Sequence, residues 1–140
     1  MRFHKRIPTD QQILEAIDRE YYAVFASYSE DAPNRGTKVY VPIDIEKIAR
    51  GLGVDGDIVF GRLYFHLERK YGYQQKDGAD VHFFVLRVAG DIHCVNFPLM
   101  ASVLADLQDQ SRKHDVAIWI AVGSLLVSVA SVLISILLKR

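Results

Sequence analysis

The sequence predicts an α+β fold, in which a small soluble domain of helices and short strands precedes one membrane-spanning helix. Three observations in the 140-residue chain lead to this prediction. Apolar residues recur at helical spacing through residues 10–28. Two β-rich runs, residues 81–88 and 92–97, flank a short turn. Residues 116–138 contain no charged side chain.

The uncharged run at residues 116–138 predicts a transmembrane helix. At a rise of about 1.5 Å per residue it is roughly 34 Å long, enough to cross a hydrocarbon core about 30 Å thick. A helix buried in a soluble protein is rarely apolar on every side over this length. Charged side chains flank both ends, and a tryptophan lies one turn inside the first end, as is typical of a membrane interface. The predicted membrane-interface residues are Arg112, Lys113, Trp119, Lys139 and Arg140.

The expected topology places the soluble domain in the cytoplasm. Cationic residues flank both ends of the uncharged run, so the positive-inside rule does not choose an orientation. The basic N-terminal arm, which carries Arg2, Lys5 and Arg6, is followed by polar residues rather than by the apolar stretch of a secretory signal. The single cysteine, Cys94, cannot form an internal disulfide, which fits a reducing compartment. We therefore expect a single-pass, tail-anchored protein in which only a two-residue tail crosses the bilayer.

Local signals divide the first half of the domain into four elements. Thr9 followed by Gln12 is a capping-box pattern at a helix start. Pro42 closes a short β-rich run, and Gly51 and Gly53 bracket the end of a second apolar helical pattern. The predicted elements are a helix at 10–28, a loop at 29–36, a strand at 37–41 and a helix at 45–52.

A third helix and a β-hairpin are predicted in the second half. Asp55 is a suitable N-cap, and Gly72 a suitable C-cap, for a helix with an apolar stripe at spacing four. Both faces of the following hairpin are largely apolar, so we expect it to be covered on two sides. The predicted elements are a helix that follows Asp55 and ends near residue 71, a loop at 74–80, strands at 81–88 and 92–97, and a helix from Pro98. The predicted segments of the chain are the arm at 1–9, the cytoplasmic domain at 10–97, an amphipathic connecting helix at 98–115, the transmembrane helix at 116–138 and a basic tail at 139–140.

Residues 10–97 resemble the winged-helix fold. Residues 43–54 read Ile-Asp-Ile-Glu-Lys-Ile-Ala-Arg-Gly-Leu-Gly-Val, and residues 63–73 read Leu-Tyr-Phe-His-Leu-Glu-Arg-Lys-Tyr-Gly-Tyr. They are similar to a helix-turn-helix pair whose second helix ends before a β-hairpin wing. The resemblance implies a winged-helix-like domain with the element order helix, strand, helix, helix, hairpin, helix.

The residues at the positions where winged-helix proteins contact DNA do not favour binding of nucleic acid here. In DNA-binding winged helices the third helix enters the major groove. The corresponding positions here are acidic, small or aromatic rather than basic, and the net charge of the chain is zero, whereas phosphate contacts carry most of the affinity for DNA. These positions are Gly56, Asp57, Phe60, Gly61 and Arg62.

The basic arm leaves three interpretations open. Arg2, Lys5 and Arg6 form a solvated tail, contact anionic lipid headgroups, or enter a DNA minor groove. Winged helices also serve as protein-binding modules, and the neutral composition favours that use.

No cofactor, metal or catalytic site is predicted. Zinc needs three or four convergent N or S ligands, and the neighbours His93 and Cys94 are expected on opposite faces of a strand. His82 and His66 are expected to be buried or paired. The glycines near residue 53 lack the strand-then-helix context of a dinucleotide loop. We therefore expect a protein that is not an enzyme.

Small residues within the uncharged run repeat at alternating spacings of four and three. This heptad-type spacing keeps one face aligned along a left-handed helix pair, and small residues let helix backbones approach closely in lipid. The alternative is that each serine bonds back to its own helix. The predicted oligomer face consists of Ala117, Ala121, Ser124, Ser128, Ser131 and Ser135.

These observations favour a membrane-tethered protein-interaction module that forms homo-oligomers through its anchor. Its expected partners are the lipid bilayer, a second copy of the chain and a protein of unknown identity. Two alternatives remain: a membrane-bound DNA-binding transcription regulator, and a pore-forming effector whose serine face lines a channel.

Overall fold

A computed structural model describes residues 6–139 of the chain. The fold is mixed α+β, with small sheets and one long apolar helix at the C-terminal end. The chain divides into two compact units whose boundary falls between Leu104 and Ala105. The first unit contains every sheet strand and the hydrophobic core.

Helix α1 spans Asp10–Ala26, and its start confirms the capping box. Thr9 Oγ1 accepts the Gln12 N–H at 3.2 Å, and Gln12 Oε1 accepts the Thr9 N–H at 2.9 Å. Both bonds satisfy backbone donors that no helix carbonyl can reach. The buried face of α1 includes Ile13, Leu14 and Ile17.

Helix α2 spans Ile45–Leu52, as predicted, with Asp44 as its N-cap. Asp44 Oδ1 accepts the Lys47 N–H at 3.0 Å. Gly53 follows the helix with φ of 69°, a left-handed conformation that glycine adopts without strain. The turn that it makes leads directly to Asp55, the N-cap of the next helix.

The two glycines at the end of α2 predict opposite responses to alanine. Gly51 is helical with open space around its missing Cβ, so Gly51→Ala should raise the free energy of unfolding by about 0.5 kcal/mol. Gly53→Ala should lower it by about 1 kcal/mol because of its positive φ. Urea unfolding of the full-length protein in detergent can be followed by tyrosine near-UV circular dichroism, since the tyrosines lie in residues 21–73. A shift of the same sign for both variants would contradict this reading of the turn.

The third predicted helix is continuous but changes its winding. Helix α3 spans Gly56–Gly61, a π-helical segment π1 follows at Arg62–Leu67, and α4 completes it at Glu68–Tyr71. Val59, Leu63 and Leu67 are fully buried, which confirms the predicted apolar stripe. Segment π1 turns Arg62 and His66 toward the start of α1, where both contact the Asp10 carboxylate.

The main sheet has three antiparallel strands in the order β1-β5-β4. Its register pairs Val41 with Val95 and Val85 with Cys94. Ala89 and Gly90, both with positive φ, form the tight turn between β4 and β5. A separate two-stranded sheet joins β2 to β3. The strands are β1 Tyr40–Pro42, β2 Tyr73–Gln74, β3 Asp80–Val81, β4 Phe84–Val88 and β5 Asp91–Asn96.

Three details of the strands differ from the prediction. The first strand begins at Tyr40 rather than at residue 37 because Thr37 Oγ1 accepts the Tyr40 N–H in a local turn. The predicted strand at 81–88 is divided, since the Phe83 N–H is donated to a carboxylate of the third helix rather than to a neighbouring strand. The first and last residues of the predicted loop at 74–80, Gln74 and Asp80, pair with each other in the β2–β3 sheet.

The expectation that both faces of the hairpin are covered is wrong. Leu86 is 45% exposed and Ile92 is 52% exposed, although Phe84 and Val95 are buried. The helices of the first unit are therefore too few to cover every apolar side chain of the sheet.

Helix α5 runs from Phe97 to Leu138 and includes the whole uncharged run. Its first residues supply Phe97, Met100 and Leu104 to the core of the first unit. Every side chain from Val116 onward that the structure describes is exposed. By length and composition this helix could span a membrane.

Candidate functional site

Exposed aromatic side chains form a cluster on α3 and π1. The Phe60 and Tyr64 rings stack with centroids 5.3 Å apart, and Phe65 meets Tyr64 edge-on at 5.0 Å. Phe65 is 68% exposed, the largest exposed fraction among the cluster's large apolar side chains. An aromatic ring held by neighbouring rings and still open to solvent is typical of a binding anchor.

These rings form one wall of a groove of about 990 Å³. Tyr64, Phe65 and Tyr73 lie on the helical side, and Leu86 lies on the strand side. All four side chains are exposed. We call this surface, defined by Tyr64, Phe65, Tyr73 and Leu86, the aromatic groove.

The strand wall of the aromatic groove is the edge of the main sheet. Strand β4 pairs with β5 on one side and has no partner strand on the other among residues 6–139. Four consecutive residues of this region, Phe84 to Arg87, line the groove. Consecutive side chains of a strand point to opposite faces, so a groove lined by all four runs along the strand's edge.

Glu68 holds the two walls of the aromatic groove together. Its Oε2 accepts the Phe83 N–H at 2.7 Å and the Phe84 N–H at 2.8 Å. Its Oε1 lies 2.7 Å from His82 Nδ1. One carboxylate of α4 therefore contacts three consecutive residues, of which the last, Phe84, begins β4.

The aromatic groove is lined by two carboxylates and two guanidinium groups, and only the guanidinium groups lack a partner among residues 6–139. Glu68 is occupied by the contacts just described, and Asp80 accepts a bond from the Gln74 side chain at 3.2 Å. Arg69 on the helical wall and Arg87 on β4 form no ion pair within residues 6–139. The groove is consequently apolar at its centre and carries two unpaired guanidinium groups.

A second groove, of about 850 Å³, is lined by four carboxylates. Three of them have structural roles. Asp44 caps α2, Asp91 accepts the Gly36 N–H at 2.9 Å, and Glu46 lies against Gly56 at the start of α3. Asp57 lines the same groove from the first turn of α3. This acidic lining therefore largely serves the termini of helices and loops.

The positions that the winged-helix resemblance assigns to DNA reading offer no free cation. Phe60 lies in the aromatic cluster, and Gly56 is buried. Arg62 forms an ion pair with Asp10. The basic residue of this surface is thus engaged in joining π1 to α1.

The predicted membrane-flanking residues are exposed where the structure describes them. Lys113 forms an ion pair with Asp109 at 2.7 Å, and this hydrogen bond raises the pKa of Lys113 and lowers that of Asp109. Trp119 and Arg112 are exposed on α5. Of the remaining predicted lipid-facing residues, Arg6 and Lys139 are exposed, and Arg2, Lys5 and Arg140 lie outside the described residues.

The serine hydroxyls of the predicted oligomer face all bond to their own helix. Ser124, Ser128, Ser131 and Ser135 each donate to the carbonyl four residues earlier, at 2.9 Å. A hydroxyl that donates in this way keeps its lone pairs for a donor from another helix. Ala117 and Ala121 extend the same exposed face.

Residues 6–139 contain no group of three or more His, Cys, Asp or Glu side chains placed to hold a metal ion. His82 contacts Glu68, and the His93 ring stacks on Phe84. Cys94 is fully buried, and burial raises the pKa of its thiol. These side chains take structural positions in the described part of the chain.

Comparison of the chain with models of protein families, with curated proteins and with solved structures found no match. Its function is therefore inferred from its own side chains. The exposure of Phe65 is predictable from the helical periodicity of the sequence. Leu63 and Leu67 face the core, so the aromatic residue between them points away from it. Glu68 has no such signal, because its partners come from a different element.

Proposed function

We propose that this chain is a membrane-tethered protein-interaction module whose soluble domain is winged-helix-like. The order α1, β1, α2, α3 to α4, then the β4–β5 hairpin supports the winged-helix comparison. The apolar length of α5 supports the tether. Free, buried Cys94 suits a cytoplasmic soluble domain, since that compartment is reducing.

The observation that carries the interaction role is the exposure of the aromatic groove. Aromatic side chains bury about 150–250 Å² each when fully covered and are enriched among the hot-spot residues of interfaces. Phe65, Tyr64 and Tyr73 present such rings to solvent, next to an unpaired strand edge. Solvent exposure of this surface costs free energy that a bound partner would recover.

The charges of the domain support a protein partner over DNA. A DNA-reading surface needs several cations aimed at phosphates. Asp57 lies near the start of α3, and Arg62 is paired with Asp10. The groove's two free arginines are separated by apolar side chains, an arrangement that suits a peptide.

Photo-crosslinking from position 65 tests the proposal directly. A benzophenone amino acid replaces Phe65 in the full-length protein, and a matched variant carries it at Tyr22, which is 60% exposed on α1. We expect a protein adduct from position 65 in native membranes and little from position 22. Phe65→Glu should leave the midpoint of urea unfolding unchanged, because the ring is mostly exposed, while a crosslinker placed at Tyr64 in that variant loses the adduct.

Equal labelling from positions 65 and 22 would contradict an interaction site in the aromatic groove. An adduct at Tyr64 that survives Phe65→Glu would do the same. Retarded migration of duplex DNA with purified full-length protein at low salt, abolished by Phe65→Glu, would assign the groove to nucleic acid instead.

The homo-oligomer is proposed to form through the small-residue face of α5. Ser128→Ile with Ser131→Ile places two branched side chains where helix backbones would approach, so association in a transmembrane reporter should fall several-fold. Val129→Ile with Val132→Ile is the matched control, because both positions are exposed and lie off the face. Unchanged association in the serine variant would remove this interface.

A further inference from the structure

We infer that the aromatic groove receives an extended peptide strand, which adds to the edge of β4 and carries alternating apolar and acidic side chains. This inference rests on the proposed function and specifies its partner. Strand addition at a sheet edge gives affinity through main-chain hydrogen bonds and specificity through alternate side chains. The β4 edge meets this requirement because β4 lacks a second neighbour among the described strands.

The edge of β4 is open to a strand beyond its first residue, Phe84, whose N–H is donated to Glu68. The residues Phe84 to Arg87 all line the groove, so the backbone between them faces it. The short strands β2 and β3 pair only with each other and form no strand pair with this edge. An exposed strand edge is ordinarily blocked by a charge, a proline or a covering element.

The side chains beside the edge define the pattern of the incoming strand. Phe84 and Leu86 share one face of β4, and the Phe84 ring contacts Phe60 of α3, so this face lies toward the helices. An apolar side chain of the incoming strand would pack there against Leu86 and Phe65. The opposite face carries Arg87, which favours a carboxylate at the neighbouring position of the peptide.

Arg69, the second unpaired cation of the groove, also favours an acidic peptide. Arg69 follows Phe65 by four residues and therefore continues the helical wall from the aromatic cluster. Neither Arg69 nor Arg87 has an ion-pair partner among residues 6–139, whereas Glu68 is held by β4. Carboxylates on the far face of the peptide would pair with Arg87, and Arg69 on the helical wall would add a longer-range attraction, whereas both cations would repel a basic peptide.

Fluorescence polarisation with defined peptides tests the inference on the full-length protein in phosphatidylcholine nanodiscs. The probe is a labelled eight-residue peptide that alternates glutamate with valine and contains one central phenylalanine. We expect it to bind, and the same peptide with lysine in place of glutamate to bind at least about tenfold more weakly. Methyl groups on the backbone nitrogens of one edge of the probe should abolish binding, while those on the other edge should not.

Charge-reversal variants locate the binding to the groove. Arg69→Glu with Arg87→Glu should weaken binding of the glutamate probe at least about tenfold and improve binding of the lysine probe. Arg19→Glu with Arg50→Glu makes the same charge change at exposed positions outside the groove and should change binding by less than about twofold.

Three results would overturn the inference: equal binding of the glutamate and lysine probes, equal binding of the two methylated forms, or an equal effect of the two charge-reversal pairs. If the probes fail while the adduct from position 65 persists, the strand partner is wrong and the interaction module stands. If the adduct is also absent, both fail.

Discussion

Glu68→Ala is expected to lower the free energy of unfolding of the first unit by about 3 kcal/mol. The substitution removes the acceptor of the Phe83 and Phe84 N–H groups, both of which are partly buried. The alanine side chain offers no acceptor in its place, so the two N–H groups lose a charged partner and gain no new one. A typical domain has only about 5–15 kcal/mol of stability, and the loss is therefore a large part of the total.

Glu68→Gln separates the loss of charge from the loss of the acceptor. The carboxamide oxygen can accept both N–H groups, and its NH₂ can donate to a neutral His82 Nδ1. We expect a cost of about 1 kcal/mol, because only the charge assistance of the bonds disappears. Urea unfolding of the full-length protein, followed by the tyrosine signal of residues 21–73, measures both variants. Equal costs for alanine and glutamine would show that the geometry of the acceptor is unimportant.

The same carboxylate fixes the shape of the aromatic groove. Glu68 lies on the helical wall, and its acceptor bonds end at the first residue of β4. Without these bonds, the helical wall of the groove is no longer attached to the strand wall through residue 68. Glu68 variants should therefore weaken the adduct from position 65 even though Glu68 itself carries no free charge for a partner.

Local sequence codes predicted most elements of the first unit. The Thr9–Gln12 capping box, the Asp55 N-cap and the glycines at the end of α2 each act within a few residues of their own position. Such signals need no knowledge of the tertiary structure, which is why the bounds of α2 were predicted to the residue. The core stripe of the third helix was predicted for the same reason, since helical periodicity is a local property.

Contacts between distant residues account for what the sequence did not predict. The division of the predicted strand at 81–88 depends on Glu68, and the attachment of π1 to α1 joins Asp10 to Arg62 and His66. Tyr22 lies on the same helix as Ile17, which is fully buried, and yet it is mostly exposed. Apolar character predicts burial only where another element covers the side chain, and that depends on tertiary packing.

Arg35 illustrates the same limit within a predicted loop. It is only 8% exposed, and its guanidinium donates to the carbonyls of Val24, Phe25 and Lys38. Two of these acceptors lie at the C-terminal end of α1, where a cation also complements the helix dipole. The loop composition at 29–36 indicates turns but does not reveal that one arginine closes the preceding helix.

Arg35→Ala is expected to lower the free energy of unfolding by about 3–4 kcal/mol. The change removes one donor from each of the three carbonyls, although Val24 keeps the Ser27 hydroxyl and Phe25 keeps the Tyr28 N–H. It also removes a buried side chain whose guanidinium lies 4.9 Å from the centre of the Tyr28 ring. Because the end of α1 then keeps only its local caps from Ser27 and Tyr28, its last turn should also lose protection against amide hydrogen exchange. Exchange measured by mass spectrometry at residues 23–28 reports this local effect, and tyrosine near-UV circular dichroism reports the global one.

Arg35→Lys distinguishes the guanidinium fork from the positive charge. Lysine keeps the charge but has one nitrogen in place of the two that donate here, Nη1 to Val24 and Nη2 to Phe25 and Lys38. We expect a cost of about 2 kcal/mol, between those of arginine and alanine. If lysine restored full stability, charge complementation of α1 would be the dominant role of Arg35. If alanine cost less than about 0.5 kcal/mol, the three carbonyls would be satisfied by their other donors or by water, and Arg35 would not hold the loop to the helix.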